Sequence, residues 1–316
     1  MTADAFHLVA IKPTHYDDDG YPIQWVTSAI PSNTLAALHG LAVDSRDRGV
    51  LGEGTPFRIS TYDETNARVY PPKIMEALKA EGARALIALV GVQSNQFPRA
   101  MDIARQFIAE GFQVAIGGFH VSGCISMLKE LPDDIREAQE LGISIFAGEA
   151  EEQRLDEVLS DAYHGTLKPL YNWMKDLPTI AGEPIPILPA EHISRTAGSH
   201  SSFDLGRGCP FQCSFCTIIN VQGRKSRFRT PDDLERIIRE NYAQGINRFF
   251  ITDDNFARNK DWEAFVDRLI ALRWKDGMNI KFVIQVDTLC HRIPNFIEKC
   301  TSAGVTRVFI GLENIN

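Results

Sequence analysis

The segment Cys209-Pro210-Phe211-Gln212-Cys213-Ser214-Phe215-Cys216 holds three of the chain's six cysteines within eight residues, at a C-x3-C-x2-C spacing. It follows an apolar run, Ser202-Phe203-Asp204-Leu205-Gly206, and an Arg207-Gly208 turn. Three thiolates on one compact loop grip a metal centre from one side and leave its remaining corner without a protein ligand. A zinc site needs four ligands, usually supplied as two pairs. No second Cys/His pair lies nearby, since Cys290 and Cys300 fall on a distant segment. A ferredoxin-type cluster uses a fourth cysteine in a C-x2-C-x2-C-x3-C-P run, which is also absent. A [4Fe–4S] cluster on three cysteines keeps one iron open, as catalytic metal sites keep a position for substrate. Three buried core cysteines are the plainest alternative, and a Gly-Cys-Pro loop of this density argues against it.

Downstream of the loop the chain reads as repeated βα units. Thr230-Pro231-Asp232-Asp233 is a helix start, with Thr230 as N-cap, proline at the first helical position and acids at the positive end of the helix. Leu234, Ile237, Ile238 and Tyr242 line one face, and Gly245 stops the helix. Strands follow at Arg248–Ile251, Lys281–Asp287 and Val305–Ile310, with helices around Trp262–Ile270 and Ile293–Ala303. Units of this length indicate a barrel or part of one, with chemistry at the carboxyl ends of the strands.

Upstream, residues 1–165 alternate strands and helices. Strands are expected at Phe6–Ile11, Phe57–Tyr62, Ala85–Val90, Gln113–Ile116 and Ile143–Ala147. Helices open at Pro31-Ser32-Asn33-Thr34, at Pro71-Pro72, at Phe97 and near Glu151. Five strands alternating with helices imply a doubly wound parallel sheet, Rossmann-like in layout. Ligands of such folds sit beyond the strand carboxyl ends, here at Thr14-His15, Gly91-Val92-Gln93-Ser94 and Gly117-Gly118-Phe119-His120. No G-x-G-x-x-G follows any strand, which disfavours a nicotinamide or flavin site. Prolines 169, 178, 184, 186 and 189 mark residues 166–200 as a linker, leaving 201–316 as a second domain.

The composition is that of a globular protein, 44% hydrophobic and 23% charged. A formal charge of −8 argues against a nucleic-acid-coating surface. No apolar run approaches the ~20 residues that span a bilayer, and Met1–Phe6 lacks the basic region of a signal peptide. The cytoplasm is the expected compartment. There, clustered cysteines are more often metal ligands than disulfides.

The C-x3-C-x2-C loop, with Phe215 before its last cysteine and βα units after it, resembles the signature of the radical S-adenosylmethionine (radical SAM) superfamily. The resemblance implies that Cys209, Cys213 and Cys216 hold a [4Fe–4S] cluster whose open iron binds S-adenosylmethionine. Reduction would cleave that ligand to a 5′-deoxyadenosyl radical, with an electron donor such as flavodoxin or ferredoxin as partner. Asp253 and Asp254, where the family often has Gly-Gly-Glu, and Glu313 are its implied S-adenosylmethionine-binding residues. An N-terminal doubly wound domain with strands ending in Gly117-Gly118-Phe119-His120 and Gly148-Glu149 resembles the cobalamin-binding domain found ahead of many such enzymes. That implies cobalamin contacts at Thr14, His15, Ser94, Gly117, Gly118, His120, Gly148 and Glu149. The Asp-x-His-x-x-Gly of cobalt-ligating domains is missing, so no protein imidazole on cobalt is expected. The expectation is a cobalamin-dependent enzyme acting on a small molecule, a methyltransferase or an enzyme of carbon-skeleton chemistry, since both occur in this group. A radical SAM enzyme without cobalamin, and a non-catalytic iron–sulfur or cobalamin sensor, are its alternatives. The superfamily's barrel has six strands and only four are read before Asn316, so a chain truncated within the barrel is expected.

Overall fold

The computed structural model describes residues 5–197, 200–211, 213 and 216–311. It divides into two compact units, Met1–Ser28 with Leu38–Pro178 and Ala29–Ala37 with Thr179–Asn316.

The first unit runs β1 (Phe6–Lys12), α1 (Asn33–Asp47, of which Asn33–Ala37 belong to the second unit), β2 (Phe57–Asp63), α2 (Pro71–Glu81), β3 (Arg84–Leu89), α3 (Phe97–Ala109), β4 (Gln113–Gly117), α4 (Phe119–Met127), α5 (Asp133–Glu140), β5 (Ser144–Ala147), α6 (Arg154–His164) and β6 (Leu170–Asn172). Its strands form one sheet in the order β2-β1-β3-β4-β5-β6, with every neighbouring pair parallel. The near-continuous apolar strands follow from burial on both faces. Val9, Ile11, Ile87 and Leu89 enter a core with Ile74 and Leu78 of α2 and Phe97 and Phe107 of α3. Phe6, Leu8 and Leu86 point the other way, into a core with Leu41 of α1 and Leu155 and Leu159 of α6. A fully buried Phe or Ile of this kind contributes about 1.5–3 kcal/mol.

Three features depart from the sequence reading. The sheet has a sixth strand, β6, where the prolines suggested no regular element; Pro169 precedes it and lends only its carbonyl, to the Ile145 amide at 3.0 Å. Proline is tolerated at the start of such an edge strand. Helices α4 and α5 also escape the sequence pattern, because α4 lacks a polar face and α5 spans two turns. Helix α6 starts at Arg154 and not near Glu151, since Glu152 and Gln153 adopt left-handed φ of 56° and 62°.

The second unit continues with α7 (Ala190–Ile193), β7 (His200–Phe203), β8 (Gly206–Arg207), α8 (Ile218–Val221), β9 (Arg227–Phe228), α9 (Pro231–Ala243), β10 (Arg248–Ile251), α10 (Trp262–Trp274), β11 (Lys281–Val286), α11 (Phe296–Ala303) and β12 (Val305–Ile310). Four parallel strands form a sheet in the order β12-β11-β10-β7. Phe203, Phe249 and Phe282 are fully buried on one face of it, with ring centroids 5.9 and 5.4 Å apart in succession. Helix α9 carries the expected capping box: Thr230 Oγ1 accepts from the Asp233 amide at 3.1 Å, and Asp233 Oδ2 accepts from the Thr230 amide at 2.9 Å. Helix α11 begins at Phe296, after a 3-10 turn over Thr288–Arg292, and not at Ile293. Among the described residues no helix is long and apolar enough to cross a membrane.

Candidate metal centre

The strand before the cysteine loop is broken in two. Burial of Asp204 works against its charge, but the guanidinium groups of Arg207 and Arg229 hold its carboxyl well below the usual range. Arg207 Nε donates to Asp204 Oδ2 at 2.9 Å, and Asn33 Nδ2 donates to Oδ1 at 3.0 Å. Arg229 Nε donates to the Asp204 carbonyl at 3.1 Å, and the Arg229 amide to the Leu205 carbonyl at 2.8 Å. This network ends β7 at Phe203 and turns the chain into β8, which pairs antiparallel with β9. The Arg207-Gly208 turn of the sequence reading is therefore half strand: Arg207 lies opposite Arg227.

Asp253, just past β10, holds β8 from the other side. Its Oδ1 accepts from the Leu205 amide at 2.6 Å and the Gly206 amide at 2.9 Å. Its Oδ2 is buried without a hydrogen-bond partner among the described residues. Burial first, and then the charges of Asp204 and Asp254, push the carboxyl up to about 8 against the two amides that pull it down. Gly208 has φ +82°, and a Cβ there would lie 3.0 Å from the carbonyl oxygens of Gln222, Gly223 and Lys225. The segment before β9 thus closes over the start of the cysteine loop, and the Cys209 amide donates to the Gly223 carbonyl at 3.2 Å.

Cys209, Cys213 and Cys216 are free thiols; Cys213 is exposed and the other two are half-buried. Burial raises the Cys209 thiol, the Phe211 amide lowers it, and Asp254, Cys216 and Cys213 raise it further. One neighbourhood therefore contains the three sulfurs and the Asp254 carboxyl. Asp254 is solvent-exposed; crowding and the Asp204 charge raise its carboxyl to about 6, a shift that surface water screens. Among the described residues no three His, Cys, Asp or Glu side chains are gathered tightly enough to hold one metal ion. Sulfur ligands of a cubane sit on separate irons and do not need to converge on a single point, and three thiols are the donor chemistry such a cluster takes. On the rim, Arg258 pairs with Asp287 at 2.5 and 2.8 Å. It also covers the Phe211 ring, 5.5 Å from its centroid. Glu313 lies outside the described residues, as do Gln212, Ser214 and Phe215 of the loop.

At the carboxyl edge of the first unit's sheet, the strand order reverses between β1 and β3, where ligands of open α/β sheets bind. Ser94 Oγ and His120 Nδ1 are 3.1 Å apart, and His120 Nε2 lies 2.9 Å from Asp134 Oδ2. The Val92 amide donates to the Gly117 carbonyl at 3.1 Å, and the His120 amide to the Val92 carbonyl at 3.0 Å. Gly118, at φ +143°, has no room for a Cβ, which would come within 2.6 Å of the Val92 carbonyl oxygen. Gly148 is similarly filled by Trp173, 2.9 Å from a Cβ. These two glycines thus serve close protein packing. Thr14 is buried, its amide donating to Glu64 at 3.1 Å and its hydroxyl to the Ile23 carbonyl at 2.6 Å. Glu64 in turn is bidentate with Arg99, at 2.6 and 3.2 Å. His15 is half-buried beside it, and Glu149 follows Gly148 at the end of β5.

Sequence reasoning missed the Asp204–Arg207–Arg229 network and the Arg258–Asp287 pair. A signal for the first was present: Asp204 is a lone acid inside an apolar strand run, a placement that requires a paired charge. The second pair is joined across 29 residues by the fold alone.

Residues 204–316 match the Radical SAM superfamily. The chain is 31% identical over 244 residues to bacteriochlorophyllide d C-8(2)-methyltransferase of Chlorobaculum tepidum, covering 72% of this chain and 50% of that protein. Residues 204–316 thus form a radical SAM superfamily segment. It is also 24% identical to hopanoid C-2 methylase of Rhodopseudomonas palustris, over 79% of the chain and 46% of that protein. The chain thus spans about half the length of the curated relatives it matches. Among solved structures, it resembles the radical SAM methyltransferase TsrM of Kitasatospora setae, determined with cobalamin and a [4Fe–4S] cluster. That likeness has a TM-score of 0.67 at 16% identity and covers 99% of this chain and 62% of that one. It also resembles the cobalamin-dependent radical enzyme OxsB, with a TM-score of 0.62 at 16% identity over 98% of this chain and 44% of that one. At these identities the structures speak to the fold: an α/β architecture with parallel sheets.

Proposed function

We propose that this radical SAM chain carries the cofactor-binding units of a cobalamin-dependent methyltransferase acting on a small molecule. One observation carries the reading: three free thiols on a loop braced at the carboxyl edge of a parallel sheet, with Asp254 beside them. Cys209, Cys213 and Cys216 would hold a [4Fe–4S] cluster, which when reduced supplies the electron for homolysis of S-adenosylmethionine. Gly208, enclosed by three carbonyls, fixes where the loop departs from β8. Asp253 keeps β8 in place through two amides, so its part is positioning. Asp254, exposed next to Cys209, is the acid available to a ligand's ammonium group. Glu313 is proposed for the ribose. The four strands of the second unit serve as four βα units of the partial barrel.

The first unit is proposed as the cobalamin domain, a cofactor that supplies a transferable methyl group. The open edge beyond β1, β3, β4 and β5 supports this, with Thr14, His15, Ser94, Gly117, Gly118, His120, Gly148 and Glu149 around it. His120 is held between Ser94 and Asp134, and so it would orient the exposed Ser94 hydroxyl. Electron delivery by a flavodoxin or ferredoxin, and a cytoplasmic setting, belong to the same proposal. The internal packing at Gly118 and Gly148 favours one other reading, a first unit that holds no cobalamin.

Anaerobic reconstitution tests the centre. About four irons and four sulfides per chain are expected, lost in Cys213→Ala, whereas a colourless protein binding one zinc would end the proposal. Hydroxocobalamin that stays with the protein through gel filtration supports the cobalamin assignment, and its complete loss supports the other reading.

A further inference from the structure

At the amino ends of the second unit's strands, opposite the cysteine loop, cations stand in a row. In the parallel register Arg248 lies beside His200 of β7 on one side and Lys281 of β11 on the other. Arg307 of β12 lies beside Val283, two residues further along β11. Since side chains alternate along a strand, all four project from one face of the sheet. Together they line a half-open recess of about 250 Å³, with Arg248, Lys281 and Arg307 exposed to solvent.

Neighbouring strands are about 4.8 Å apart, and like charges placed directly opposite one another across such a spacing destabilise a sheet. Among the described residues, neither the Lys281 ammonium nor the Arg307 guanidinium meets a carboxylate, whereas Arg248 already has an interaction of its own. His200 Nδ1 donates to the Ala197 carbonyl at 2.9 Å, which holds the ring at the cavity wall. The chain's net charge is −8, so this concentration of positive charge runs against the overall balance. The acids Asp204, Asp253, Asp254 and Asp287 lie at the other ends of the same strands. The cavity is smaller than the ~300–1,000 Å³ pockets that enclose whole drug-sized ligands, but it admits one tetrahedral anion or the head group of a larger molecule. Arginine and lysine together suit phosphate, one by its planar fork and the other as a point charge.

We infer that this cavity is a phosphate-binding site, separate from the metal centre and taking either free phosphate or the phosphate of a small ester. The test uses the full chain at constant ionic strength, titrated with inorganic phosphate, with glycerol 3-phosphate and with chloride, by calorimetry and thermal unfolding. Saturable binding of one phosphate equivalent is expected, with no such effect of chloride. Lys281→Met and Arg307→Gln should each weaken it about tenfold or more, and Lys281→Arg should retain it. Tighter binding of glycerol 3-phosphate than of phosphate identifies an ester as the ligand, and the reverse order identifies the free ion. In phosphate-free buffer Lys281→Met should melt no lower than the parent, because a like-charge contact is relieved. Absence of saturable binding, or equal binding by the Lys281→Met/Arg307→Gln double variant with its circular dichroism unchanged, overturns the inference.

Discussion

Asp253 offers the sharpest test of how the cysteine loop is supported. Asp253→Ala strips the Leu205 and Gly206 amides of their shared acceptor. Each buried amide left without a partner costs about 1–3 kcal/mol, so the pair accounts for about 2–6 kcal/mol. Asp253→Asn keeps an oxygen for both amides and removes the ionisable group. The folded-state carboxyl is raised from 3.8 to about 8, so the folded chain binds a proton that the unfolded chain has released. That contribution to stability is complete below about pH 4 and is lost as pH rises toward 8, at a slope of up to about 1.4 kcal/mol per pH unit. The assay is hydrogen exchange by mass spectrometry over peptides spanning 200–208 in the reduced, metal-free chain, from pH 5 to 8 and corrected for intrinsic rates. The Asn variant should match the parent at pH 5 and exceed it at pH 8, with the Ala variant below both at pH 5. Asn as poorly protected as Ala, or parent and Asn with the same pH slope, would refute the reasoning.

Two further outcomes are expected in the first unit. Glu64→Gln leaves the Arg99 guanidinium without its carboxylate, a loss of about 3–5 kcal/mol for a buried pair broken on one side. Glu64→Leu with Arg99→Met should recover only part of it in thermal melts, because the Thr14 amide then lacks its acceptor. Gly118→Ala should destabilise by more than about 2 kcal/mol, since φ +143° and the Val92 carbonyl both exclude a Cβ. Gly117→Ala, whose nearest contact would be the Phe146 carbonyl at 3.3 Å, should be far milder; equal losses at the two positions would remove the packing explanation.

Much of the architecture was legible because its strands are buried on both faces and its helices carry clear caps. Thr230 with Asp233 and the Pro71-Pro72 start are local signals, and both survived intact. What escaped was whatever long-range contacts decide. Strand β6 is three residues long and exists because β5 offers it an edge. The turn from β7 into β8 is held by Arg229 and by Asp253, which lies 48 residues beyond Leu205, and no window of sequence around Gly206 contains either cause. The cysteine spacing suggested the proposed centre from sequence alone, whereas the different positions of Asp253 and Asp254, adjacent in sequence, emerged only from one being enclosed and the other exposed. The glycines after β4 and β5 illustrate the opposite case. Their residue type suggested room for a ligand, and the fold fills that room with Val92 and Trp173.

The bracing of β8 also bears on the order of events during synthesis. Leu205 takes its hydrogen-bond partners from Arg229 and Asp253, both of which leave the ribosome after the three cysteines. Until β10 has emerged and docked, Cys209, Cys213 and Cys216 ride on a segment that has no fixed course. Vectorial folding therefore separates delivery of the thiols from completion of the cradle that presents them. Over that interval the thiols are open to oxidants and to stray metal ions, and only a chain extended past Asp253 has β8 held in its folded course.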